Sequence, residues 1–158
     1  LFKTGDAVDI QLRTTKSQSK QPVEGDMRIV VAPFQGKDIA VLMKPVDASA
    51  SAALNKAYNS PVFTKKFDRV QQLDGVRVKS IKKSDLYIVE IGIPLQAIGL
   101  NVNAMRELKG DVGFIVSDKT GTFNIARIYW ANKHTNLVND LPSEAWLFPA
   151  NWGKLEVK

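Results

Sequence analysis

Over residues 8–13 apolar and polar side chains alternate, with Val8, Ile10 and Leu12 set against Asp9, Gln11 and Arg13. Such a period of two predicts a half-buried strand, its apolar side on a core and its polar side in water. Asp26 to Ala32 and Asp38 to Lys44 repeat the pattern around Pro33-Phe34-Gln35-Gly36-Lys37, which predicts a meander whose turn uses the positive φ open to Gly36. Ala48 to Tyr58 is Ala-rich and bounded by Pro45 and Pro61, and predicts a short helix or an irregular excursion. Strands are predicted again at Val62 to Val70, Val76 to Lys82 and Leu86 to Ile93, the last stopped by Pro94. Leu95 to Leu100 reads as one helical turn closed at Gly99. The apolar run Val112 to Ser117 predicts a central strand, Asp118-Lys119-Thr120-Gly121 a turn, and Thr122 to Ala131 and Gly153 to Val157 the closing strands. About eight or nine short strands separated by turn signals define an all-β chain. The expected fold is an antiparallel β-sandwich of immunoglobulin or jelly-roll type with one short helical insertion, a single domain over residues 1–158. The Ser, Lys and Gln-rich stretch from Thr14 to Pro22 reads as a mobile hairpin loop.

Charge narrows the partners. The net charge of +6 invites a nucleic-acid reading, yet the lysines are dispersed, and the doublets Lys65-Lys66 and Lys82-Lys83 sit beside Asp68 and Asp85. No basic tract is available to track phosphates, so nucleic acid is not an expected partner. Membrane insertion is not expected either, since no apolar run reaches the length of a spanning helix. Without cysteine there is no disulfide, thiolate metal site or cysteine nucleophile. Leu1 to Asp6 lacks the pattern of a signal peptide, so on an exported protein that signal has already been removed.

The chemistry concentrates near the C-terminus. All three tryptophans fall within Arg127-Ile128-Tyr129-Trp130-Ala131-Asn132-Lys133 and the segment from Asn139 to Gly153. Sugars present C–H groups on a ring face and hydroxyls at its edge, so their sites couple a flat aromatic ring to amides, guanidinium groups or carboxylates. The candidates are Trp146 and Trp130 as platforms, with Tyr129, Arg127, Asn132 and His134 around them. Each has a structural counter-reading. Of Tyr129 and Trp130 one ring should point inward and the other outward. Trp152, before Gly153, reads as a plug, Arg127 as an ion-pair partner of Glu144 or Asp140, and His134 as a solvated side chain.

Gly5-Asp6-Ala7-Val8-Asp9, Val89-Glu90-Ile91-Gly92-Ile93-Pro94-Leu95, Leu108-Lys109-Gly110-Asp111-Val112-Gly113, Tyr129-Trp130 and Glu144 to Gly153 follow one another in an order that resembles the family 9 carbohydrate-binding-module-like domain, within the DOMON-like β-sandwiches. The resemblance runs across nearly all of the chain and implies a non-catalytic, extracellular or periplasmic bacterial domain, attached to larger secreted proteins, that binds carbohydrate through aromatic residues near loops. Domains of this kind carry one or more strands before the Gly-Asp segment, whereas this sequence opens at Leu1. The resemblance therefore leaves two options: the remaining strands close the sandwich alone, or an edge is supplied by another chain or a removed segment. An open edge invites strand addition, so a structural or self-assembly module is the alternative expectation.

Other ligand classes have thinner support. Asp6, Asp118 and Asp140 offer hard oxygen ligands for calcium, although no Asp-x-Asp-x-Asp-Gly loop is present, and turn or cap roles compete. Some DOMON-like domains hold haem. Met27, Met43, Met105 and His134 are the available axial groups, against gap-filling in the core for the methionines. Nothing in the carboxylate spacing sets up an acid and base pair for glycoside hydrolysis.

Overall fold

A computed structural model describes residues 5–61, 63–84, 87–134 and 146–157, and the chain is all-β with antiparallel pairing throughout. Its strands are β1 (Ala7–Arg13), β2 (Asp26–Phe34), β3 (Lys37–Lys44), β4 (Lys56–Ser60), β5 (Phe63–Phe67), β6 (Arg69–Gln72), β7 (Arg77–Lys82), β8 (Tyr87–Gly92), β9 (Glu107–Ser117), β10 (Asn124–Tyr129) and β11 (Gly153–Glu156). One seven-stranded sheet runs β10-β9-β1-β2-β3-β6, with β11 also on β9. Strand β9 is long enough to carry β10 along Gly113 to Ser117 and β11 along Glu107 to Gly110, end to end on the edge opposite β1. The hairpins β4–β5 and β7–β8 form two small separate sheets.

The hairpins cover opposite faces of the large sheet, giving a sandwich-like arrangement. On one face Ala7, Val30, Ala32, Met43 and Ile115 pack with Phe67, Leu147 and Trp152, and with Tyr58 of β4. On the other, Val8, Ile29, Val31, Leu42 and Met27 pack with Ile98 and with Val78, Val89 and Ile91 of the β7–β8 hairpin. Strand β1 is consequently covered on both sides.

That double cover changes the reading of Asp9, Gln11 and Arg13. The alternation places them on the expected face, but the face is dry, and all three are buried. Buried charge persists only where it is paired and hydrogen-bonded. Arg28, across the β1–β2 ladder, holds Asp9 through Nε at 3.0 Å and Nη2 at 2.7 Å. Arg13 holds Asp26 through Nε at 2.6 Å and Nη2 at 2.7 Å, and its Nη1 donates to the carbonyls of Ser17 and Ser19, which ties down the loop after β1. Gln11 accepts the Trp152 indole N–H at 3.0 Å.

Local differences have local causes. The Ala-rich segment contains one 3-10 turn, Ala52–Leu54, before strand β4 begins at Lys56, where pairing with β5 outweighs the weak preference of Ala for helix. Strand β9 starts five residues before the expected Val112 because β11 pairs with Glu107 to Gly110 and β1 with Lys109 to Asp111. Gly110 permits this close approach, since a Cβ there would lie 2.5 Å from the Gln11 carbonyl oxygen. The β2–β3 turn closes on Gln35 (φ 50°) and Gly36 (φ 77°), the positive-φ pair of a two-residue hairpin.

Candidate functional site

Alternation along β10 separates the paired aromatic residues. Tyr129 points into the face that holds Asp9 and donates its hydroxyl to the Asp9 carboxylate. Burial, then the neighbouring Asp9 charge, pushes the Tyr129 phenol well above its ordinary range. Tyr129 is thus part of a buried Asp9–Arg28–Tyr129 cluster, out of reach of a ligand in water. Trp130 points to the opposite face and stays 51% exposed, its ring lying over Gly153, where a Cβ would come within 2.6 Å of it.

The loop after β10 is anchored by Asp111, whose carboxylate accepts the backbone N–H groups of Ala131 and Asn132, each at 2.8 Å. Asn132 is buried, and its Oδ1 accepts from the His134 backbone and from the Asn151 side chain, so its amide ties the loop to the chain before β11. His134 is exposed. Arg127 is half-buried beside Tyr129. Its suggested partners Glu144 and Asp140 lie outside the described residues.

Trp146 lies elsewhere. Its ring meets Phe63 of β5 edge-on, with centroids 5.0 Å apart, and Phe148 at 5.9 Å. Trp146 is half-buried while Phe63 and Phe148 are exposed, so the group presents aromatic surface to water. Ser60, Tyr58 and Lys65 lie across from or beside Phe63 on the same side of the β4–β5 ladder, as its register requires. Ser60 and Lys65 bring a hydroxyl and an amine, while the Tyr58 ring packs against Phe67 in the core. Burial lowers the Lys65 pKa, and its ammonium lies 5.9 Å from the centroid of the Phe67 ring. Since the hairpin packs on the face that holds Tyr129, Trp146 and Trp130 are on opposite sides of the large sheet and do not form one site. Trp152 is buried between Gln11 and the Arg13 guanidinium, which sits 5.9 Å from its ring centroid.

Asp6 and Asp118 come to the same end of the sheet, at a groove of about 1150 Å³ between β9 and the β7–β8 hairpin. Their carboxylates already serve local donors. Asp6 accepts the Ser117 N–H and hydroxyl, and Asp118 accepts N–H groups from Thr120, Thr122 and Phe123 and the Thr120 hydroxyl. Those bonds, led by that from Phe123, hold the Asp118 pKa down at about 2. Asp140, the third calcium candidate, is outside the described residues. Met27 and Met43 are buried in the cores on opposite faces of the sheet, so they cannot face one ligand together, and Met105 lies in the turn before β9.

Phe63 and Phe148 escaped the reading of the sequence. Phe63 was marked only by its place two residues after Pro61, and its approach to Trp146 spans a separation that no local pattern encodes. Scans against family models, curated proteins and solved structures return no match to this chain.

Proposed function

We propose that the chain is a non-catalytic carbohydrate-binding β-module, exported from the cell, whose sugar platform is the aromatic group Trp146, Phe63 and Phe148. One observation carries the reading: these three rings gather at the β4–β5 hairpin in partial contact with water, on the side of the ladder that also carries Ser60 and Lys65. Stacking on the rings supplies the apolar contact, and the Ser60 hydroxyl and Lys65 amine supply hydrogen bonds to sugar edges. A binding rather than catalytic role is supported by the buried carboxylates. Asp9 and Asp26 are held by arginines, Asp111 by backbone N–H groups, and Asp47 by Arg69 at 2.6 Å.

A shallow site of this size has modest affinity, on the order of −4 to −8 kcal/mol, the millimolar to micromolar range. Affinity electrophoresis through gels containing soluble polysaccharides tests the assignment. Trp146→Ala and Phe63→Ala should each abolish retardation while far-ultraviolet circular dichroism is unchanged. Equal retardation of both variants and the parent would refute it.

A further inference from the structure

The groove of about 1150 Å³ between β9 and the β7–β8 hairpin lies on the face of the large sheet opposite the Trp146 group. Its floor is one row of the ladder. Ile128 stands opposite Phe114, Phe114 opposite Val8, and Val8 opposite Val31, so four apolar side chains run side by side across β10, β9, β1 and β2. Its roof is the inner side of the hairpin, where Val78 and Ser80 of β7 line the groove with Tyr87 and Val89 of β8. The row is covered unevenly. Val8 and Val31 are buried under the hairpin, whereas Phe114 is 46% exposed, Ile128 61% and Tyr87 45%. The groove thus closes over β1 and β2 and opens over β9 and β10, an apolar wedge with three large side chains at its mouth.

Large apolar side chains left in water beside a preformed hollow mark a binding place. The rim decides the occupant. Lys83 in the hairpin turn and Lys119 in the β9–β10 turn both line the groove and are exposed, and within the described residues no hydrogen bond or ion pair engages either ammonium. Asp6 and Asp118 stand on the same rim, but their oxygens accept from Ser117 and from Thr120, Thr122 and Phe123. Asp38 lies at the β3 side, three strand spacings or roughly 14 Å from β9. The donors at the mouth are therefore cationic.

We infer that the groove takes a small amphiphile of the fatty-acid class, its apolar chain over Phe114 and under the hairpin and its carboxylate toward Lys83 and Lys119. Contact with the floor supplies affinity, and the two ammonium groups select the head through charge-assisted hydrogen bonds. The groove and the Trp146 group lie on opposite faces, so this ligand and the glycan reading stand or fall apart.

Isothermal titration of the chain with dodecanoate below its micelle concentration tests the assignment. The parent should bind with a dissociation constant on the order of 10–100 μM, and dodecyltrimethylammonium about 10-fold more weakly or worse. Lys83→Glu with Lys119→Glu should weaken dodecanoate on the order of 10-fold. Lys16→Glu with Lys20→Glu makes the same change of net charge beyond the other end of β1, and should leave binding as in the parent. Phe114→Glu should abolish binding, and Tyr87→Glu, on the roof, supplies a second variant should Phe114→Glu fold poorly. Trp146→Ala should bind dodecanoate as the parent does. Absence of saturable binding to the parent, equal affinity for the cationic amphiphile, equal weakening by the two lysine pairs, or unchanged binding by a folded Phe114→Glu or Tyr87→Glu would each overturn the proposal.

Discussion

Replacing Arg28 by Met probes the buried polar layer on which β1, β2 and β10 converge. Arg28 and Asp9 are both fully buried, joined through Nε and Nη2, with the Tyr129 hydroxyl on the same carboxylate. Removing the guanidinium leaves the Asp9 charge in the interior with a phenol in place of a cation. Breaking one side of a buried pair costs about 3–5 kcal/mol, whereas replacing both partners by apolar groups of similar volume is often neutral or stabilising. At about 2–4 °C of melting temperature per kcal/mol for a domain of this size, Arg28→Met should lower the melting point by about 6–20 °C. The double variant Asp9→Leu with Arg28→Met should recover part of that loss, the Tyr129 hydroxyl being left without its acceptor, and adding Tyr129→Phe should recover most of it. Urea unfolding followed by tryptophan fluorescence gives the coupling directly as the departure of the double variant from the sum of the singles. A loss under about 1 kcal/mol for Arg28→Met, or simple additivity of the two singles, would refute the view that a desolvated charge pair organises this face.

Other consequences are equally open to measurement. The Tyr129 pKa is raised on folding, so its share of stability is complete below the ordinary phenol value near 10 and is lost as pH rises above it. Denaturation midpoints should therefore fall more steeply from pH 9 to 11 in the parent than in Tyr129→Phe, and parallel curves would contradict this. Asp118 is shifted the other way, and its contribution is present above the ordinary carboxyl value near 4 and lost as pH falls toward about 2. Asp118→Ala should speed amide exchange at Thr122 and Phe123 at neutral pH, and unchanged exchange would count against its role in closing the turn. Gly110→Ala drives a Cβ to within 2.5 Å of the Gln11 carbonyl oxygen in the centre of the sheet, and should cost about 1–3 kcal/mol in urea unfolding.

What the sequence made legible was local. Alternation located β1, β2 and β3, and Gly36 and Gly99 mark chain reversals where the structure shows positive φ. The fate of each strand's second face was not legible, because Asp9, Gln11 and Arg13 look solvated until Arg28, Asp26 and Trp152 arrive from other strands to meet them. The same holds for the aromatic residues. Adjacency of Tyr129 and Trp130 requires opposite directions, but which one is inward depends on the Asp9 carboxylate, more than a hundred positions earlier. Grouping Trp130 with Trp146 followed sequence proximity, whereas the sheet lies between them and Trp146 finds Phe63 instead.

The three indole N–H groups offer the most direct test of the glycan reading, since each tryptophan sits in a different setting: Trp146 beside Phe63 and Phe148, Trp130 on the opposite face, Trp152 bonded to Gln11. In a ¹⁵N correlation spectrum titrated with soluble oligosaccharides, the Trp146 indole resonance should shift saturably while those of Trp130 and Trp152 hold still. Saturable movement of the Trp130 indole alone, or of none of the three across the panel, would contradict the account.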